Sequence, residues 1–207
     1  MFFKVSWVRT ILKILKWAFL ILLALFIVLV IIRAFHFYNQ DKIDAQVAKI
    51  HATKLTLDDV MGKNLPPDPG SLADATVQGI DANNNGIRDD VELAVFKEYP
   101  NSAKTRAVLL QYALALQMEV IQPMVNTVTA TEVIREQSRG FECIGEIVSR
   151  ENSQKFDEET DILIKFIENR QFNTEERKND RNLFVKKVRS FSGLNRVCDI
   201  NYSELLN

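Results

Sequence analysis

The sequence predicts an all-α protein, a single membrane-spanning helix followed by a small helical bundle. Three observations carry that expectation. Trp17 to Ile32 is sixteen residues long without a charge or a hydroxyl. Beyond residue 101 the apolar residues recur at i, i+3 and i+4, the spacing of one helix face. No β-branched run alternates with polar residues for more than a few positions.

Residues 17–38 come first as the transmembrane signal anchor. Sixteen residues rising ~1.5 Å each span only about 24 Å of a ~30 Å hydrocarbon core. The flanks supply the rest: Ile11, Leu12, Ile14 and Leu15 extend the apolar surface, while Lys13 and Lys16 can snorkel. Trp7 and Trp17 on one side, and Phe35, Phe37 and Tyr38 on the other, form interfacial aromatic belts. A cleavable secretory signal is the rival. Cleavage after Ala34 or Ala45 would put Ile32 or Ile43 three residues upstream, where a small side chain is needed, so the anchor is expected to stay.

The charges are sorted along the chain and set its orientation. Net charge is −1 over 207 residues, yet residues 1–40 hold no Asp or Glu and carry Lys4, Arg9, Lys13, Lys16 and Arg33. The remaining 21 basic and 27 acidic residues leave the rest at −6. By the positive-inside rule the basic tail, residues 1–16, stays in the cytoplasm and everything after about residue 38 is translocated. An acidic translocated part argues against a nucleic-acid partner.

Residues 39–70 read as a juxtamembrane stalk and linker. Residues 41–56 are polar and Ala-rich, expected to be helical, and LPPDPG at 65–70 is expected to be extended and to mark the start of the ectodomain, 71–207. A helix from about Asp89 runs through Phe96. Asn101 or Ser102 then caps a long central helix with Ala107, Leu110, Leu114 and Met118 inward. Its apolar stretch, 107–121, contains Gln111, Gln117 and Glu119, so it is expected to be a buried soluble helix and not a second span. Thr129 with Glu132 resembles a capping box opening a helix with Ile134, Phe141, Ile144 and Val148 inward. Residues 154–170 form the next helix, and Thr174 caps the last, with Gly193 expected at its C-terminal end. The charge runs 157–161 and 175–181 are expected to be solvated faces.

Residues 81–92, DANNNGIRDDVE, carry the chemistry. They fit D-x-[DN]-x-[DN]-G-x₅-E at each specified position. A hard cation such as Ca²⁺ takes six to eight oxygens at about 2.3–2.6 Å. Asp81, Asn83 and Asn85 would turn inward as the chain wraps, and Gly86 would permit the bend. Ile87 would offer its carbonyl, Asp89 would bind directly or through water, and Glu92 would close the shell.

This loop resembles that of the EF-hand, and more closely the solitary variants of exported bacterial proteins, which read D-x-[DN]-x-[DN]-G-[IV]-R-D-D-[IV]-E. LPPDPG and the long helix downstream also resemble an uncharacterised bacterial envelope family. The resemblance implies Ca²⁺ as the bound ion and a bacterial inner-membrane protein with its domain in the periplasm. Arg88 stands where a paired EF-hand has an aliphatic residue, and Gly79 shortens the incoming segment. Both point to a lone loop with a structural ion. An unoccupied Asx-rich turn is the alternative.

Cys143 and Cys198 are the only cysteines, and both lie on the translocated side, where one disulfide is expected; two buried free thiols are the alternative. No catalytic elbow, phosphate loop or zinc cluster is present in the sequence, so a non-catalytic binding or interaction module is expected. It is anchored in membrane lipid through residues 17–38 and meets a periplasmic protein or envelope component. An immunity or inhibitor protein against a toxin, and a carboxylate-dependent envelope hydrolase, are the alternatives.

Overall fold

The computed structural model describes residues 3–193 and 198–205, and among these it is all-helical, with seven α-helices and no strand. The first, α1, runs unbroken from Phe3 to Ala52. Its apolar stretch is long enough to cross a membrane, and its side chains there are exposed on every face, as a single-pass anchor requires.

The chain divides into two units, with the boundary between Ala45 and Gln46. The second unit therefore begins well before the Pro-rich segment, and the expected stalk at 39–70 is largely part of the domain. Gln46 donates to Gln122 Oε1 and to the Met124 carbonyl, both at 2.8 Å. Ile50 at the end of α1, Leu55 in the connection, and Val60 in α2 (Leu57–Met61) all enter the core. The Pro-rich stretch is non-helical up to a 3₁₀ turn at Gly70–Asp74.

α3 spans Asp89–Glu98, α4 Ala103–Ile121, α5 Thr127–Ile147, α6 Ser153–Gln171 and α7 Glu175–Val185. α4 is the central rod. It is apolar on all sides because it is packed on all sides, by α5 above all and also by α2, α3, α6 and α7. Ser102, one of the two candidates, caps α4, and Thr174 caps α7 as the sequence predicts.

Four expectations change. α5 starts at an Asn126 cap, whose carboxamide accepts from Thr129 N while the Thr129 hydroxyl accepts from Asn126 N; Thr129 thus closes the box at its last position and does not open it. Phe141 faces outward, because the contact face of α5 runs through Ala130, Val133, Gly140 and Ile144. Gly193 lies well past the end of α7, whose cap is Lys186. Arg177, inside a charge run read as solvated, is buried. It donates to the carbonyls of Ala73, Thr76 and Val77 and so fixes the segment ahead of the loop.

Candidate metal centre

The loop 81–92 hangs between that segment and α3. Two glycines are needed for its path. Gly79 has φ +69°, and a Cβ there would lie 2.3 Å from Arg88 Cδ. Gly86 has φ +85°, and a Cβ there would meet Leu114 Cδ1 at 2.7 Å. Ile87 is fully buried and pins the middle of the loop to the core. Arg88, also fully buried, donates to both Asp90 oxygens and to the carbonyls of Arg170 and Gln171. It thereby holds the loop against the last turn of α6, where a cation complements the helix dipole. The Arg88 side chain is thus committed to contacts within the chain.

The predicted ligands are brought together to different degrees. The Asp81 carboxylate accepts from Asn85 N at 3.1 Å and Gly86 N at 2.9 Å. Asn83 Oδ1 faces Asn85 N at 3.4 Å, and Asn85 Oδ1 accepts from Ile87 N at 2.9 Å. The amide nitrogens of Asn83 and Asn85 both donate to Glu92 Oε2, each at 3.1 Å. Asn83 and Asn85 therefore converge on Glu92, and Asp81 joins them through the backbone of Asn85 and Gly86. Asp89 is buried and uses both oxygens on Ala82 N, at 3.0 and 3.1 Å, closing the loop's base. Among the described residues no three His, Cys, Asp or Glu side chains gather as a metal cluster by themselves. The convergence here depends on amides.

Electrostatics single out Glu92. Burial pushes its carboxyl up to about 7 against the opposing hydrogen bonds of Asn83 and Asn85, and the charges of Asp59 and Asp89 push the same way as burial. Asp89 is raised too, by burial first and then by Asp81 and Asp90. A buried carboxylate surrounded by like charge is stabilised by a cation.

A second charged constellation was not predicted. It is a cleft of about 420 Å³. On α5, Glu132, Glu136, Arg135 and Arg139 form two i, i+4 pairs on one face, a pattern visible in the sequence as EVIREQSR. Their partners are distant in the chain. His51 Nδ1 meets Glu136 at 2.9 Å and its Nε2 meets Glu132 at 3.1 Å. Lys54 meets Glu136 at 2.7 Å. Arg139 bridges Glu136 and Asp199, reaching Asp199 at 2.7 Å. Burial raises the Glu136 carboxyl, but hydrogen bonds from Lys54 and His51 and the Arg139 charge outweigh it and hold the group below its ordinary range.

Cys143 of α5 and Cys198 are joined in a disulfide with their Cα atoms 5.2 Å apart. Compared with family models, curated proteins and solved structures, the chain finds no match.

Proposed function

We propose that this protein is a membrane-anchored, non-catalytic interaction module, whose loop 81–92 takes a structural Ca²⁺ on the translocated side of a bacterial inner membrane. The observation that carries the reading is the convergence of Asn83 and Asn85 on the buried Glu92 carboxylate, with Asp81 bound to the backbone N–H groups of Asn85 and Gly86 in the same loop. The Asn83 and Asn85 amides now donate to Glu92; an amide offers an oxygen as readily as a nitrogen. Ca²⁺ would take the place of those donors as the positive partner of Glu92. Asp81, Asn83, Asn85, Glu92 and the Ile87 carbonyl would hold it, and Asp89 would act from the loop's base. The ion would lock the segment fixed by Arg177 to the start of α3.

The basic residues Lys4, Arg9, Lys13 and Lys16 ahead of the apolar stretch of α1, and the acidic domain beyond that stretch, support an N-terminus in the cytoplasm and a periplasmic domain. The disulfide agrees with an oxidising compartment. The partner is an envelope protein or component. As to catalysis, the two carboxyls raised to the neutral range, Glu92 and Glu119, lie on different elements from the cleft, whose Glu136 is held ionised. A general acid would need the reverse.

Thermal unfolding of the full chain in detergent micelles, with millimolar Ca²⁺ or with chelator, tests the reading. A ligand at ~30 times its Kd adds about 2 kcal/mol, or roughly 4–8 °C for a domain of this size. Ca²⁺ is expected to raise Tm by that amount in the native chain and by nothing in Glu92→Ala. Equal melting with Ca²⁺ and chelator would sink the proposal.

A further inference from the structure

We infer that Arg9, Lys13 and Lys16 form a one-sided docking stripe for acidic phospholipid headgroups at the entry end of α1. The inference rests on the reading of α1 as a membrane anchor, but on neither its orientation nor the calcium loop.

Because α1 is unbroken from Phe3, spacing along the chain converts directly into faces of a helix. Arg9, Lys13 and Lys16 stand at i, i+4 and i+7, within an arc of about 60° on an ideal helix. All three side chains are exposed. Val8, Ile11 and Leu15 occupy the other side of the same turns and are exposed as well. The stripe therefore has an apolar back, and it leads straight into the apolar run that starts at Trp17. Such a segment sits at a lipid boundary.

These cations differ from others in the chain in having no acid within reach on their own helix. On α6, Lys155 meets Glu159 at 3.5 Å and Lys165 meets Asp161 at 2.6 Å. On α7, Lys178 meets Glu175 at 2.6 Å. Residues 1–40, by contrast, contain no Asp or Glu. The first acid, Asp41, lies 25 residues beyond Lys16 on α1, about 37 Å along the axis. The counter-charge of the stripe therefore comes from outside the chain.

At the edge of a bilayer the fixed anions are headgroup phosphates. A zwitterionic lipid carries its own ammonium beside the phosphate, which competes with the stripe. An acidic lipid has no such cation, and each Lys or Arg near a surface of acidic lipids gains from that charge. The three residues extend over about 10 Å of helix axis, enough to engage more than one headgroup. Lys16, the deepest, reaches them by snorkelling. Gathering the charges on one face also gives the helix a preferred rotation about its axis.

The chain's two tryptophans, Trp7 and Trp17, flank the stripe, so their fluorescence reads the lipid beside it. The full chain is reconstituted into vesicles of equal parts phosphatidylcholine and phosphatidylglycerol, with brominated acyl chains on one lipid or the other. Brominated phosphatidylglycerol is expected to quench as though enriched about threefold or more near the tryptophans, less so at high salt. The preference should vanish in Arg9→Gln/Lys13→Gln/Lys16→Gln. It should weaken in Ile11→Lys/Lys13→Ile, which keeps the net charge but moves one cation to the opposite side. Equal quenching by the two lipids in the native chain overturns the inference and leaves the anchor standing. A preference that survives the triple substitution overturns it too. So does one that Ile11→Lys/Lys13→Ile leaves intact, since net charge alone would then explain it. Quenching by neither lipid overturns the anchor itself, and the stripe with it.

Discussion

Glu119 sits in the interior of α4, with Oε1 accepting from Gln137 at 2.6 Å and Arg181 at 2.8 Å, while Oε2 has no hydrogen-bond partner. Burial raises its carboxyl to about 6; the Arg181 charge and the Gln137 bond oppose this, and the Glu168 charge adds to it. The folded state therefore holds this proton more tightly than the unfolded chain does. Between about pH 4.5 and 6 the folded state sheds stability as pH rises, by roughly 2 kcal/mol in all. Glu119→Gln keeps acceptor and shape but cannot ionise, so it is expected to remove that part of the slope. Urea midpoints at pH 4.5 and 7 give the check: a parallel decline in variant and native chain would refute the assignment. The sequence marked Glu119 only as an interruption in an apolar run. Its partner Arg181 lay in a charge run read as solvated, as did the buried Arg177. Local charge density looks the same whether an arginine meets water or the carbonyls of a loop a hundred residues away, so buried arginines are the residues that pattern reading misses.

At the scale of elements, the contact of α5 with α4 shows which features are local enough to read. Caps at Ser102 and Thr174 involve neighbours within one turn and were legible. The start of α5 was not, since Asn126 with Thr129 and Thr129 with Glu132 are both plausible boxes, and only the buried Thr129 hydroxyl, donating to the Met124 carbonyl at 2.9 Å, decides between them. The orientation of α5 is set by Gly140, where a Cβ would stand 2.9 Å from Tyr112 Cα and 3.3 Å from Tyr112 N. Those are backbone atoms of the central helix and cannot step aside. Gly140→Ala is expected to cost about 1–3 kcal/mol net through overpacking, even though Ala is the better helix former by about 1 kcal/mol. Gly145, on the same helix, is the control: a Cβ there meets only the Phe156 ring, Cζ at an ordinary 3.4 Å and Cε2 at 3.9 Å. Gly145→Ala should stabilise by up to ~1 kcal/mol. Chemical denaturation of both variants reads the two signs. If both stabilise, the close approach of the helices is wrong.

For the whole molecule the question is where the domain begins. All-α architecture, the apolar span, the disulfide partners and the position of the loop were all legible, because each depends on a run, a count or a fixed spacing. The boundary was not, because composition alone made 39–64 look like a stalk: polar, Ala-rich, and followed by three prolines. Only three of its apolar side chains are fully enclosed, Ile50, Leu55 and Val60, but they fill the core beside α4. Each is worth roughly 1.5–3 kcal/mol on burial, which sums to about 5–9 kcal/mol against a usual domain stability of 5–15. The same segment supplies the Val60 carbonyl to buried Arg106, and His51 and Lys54 to the cleft. A fragment of residues 46–207 is therefore expected to unfold in one cooperative transition. A fragment of residues 71–207, which starts where the composition suggests, should lack that transition and bind hydrophobic dyes as a loosened helical state. Near-ultraviolet circular dichroism and urea titration of the pair decide it. If the shorter fragment unfolds cooperatively within about 1 kcal/mol of the longer one, segment 46–70 is a stalk after all, and its core contacts contribute far less than their burial implies.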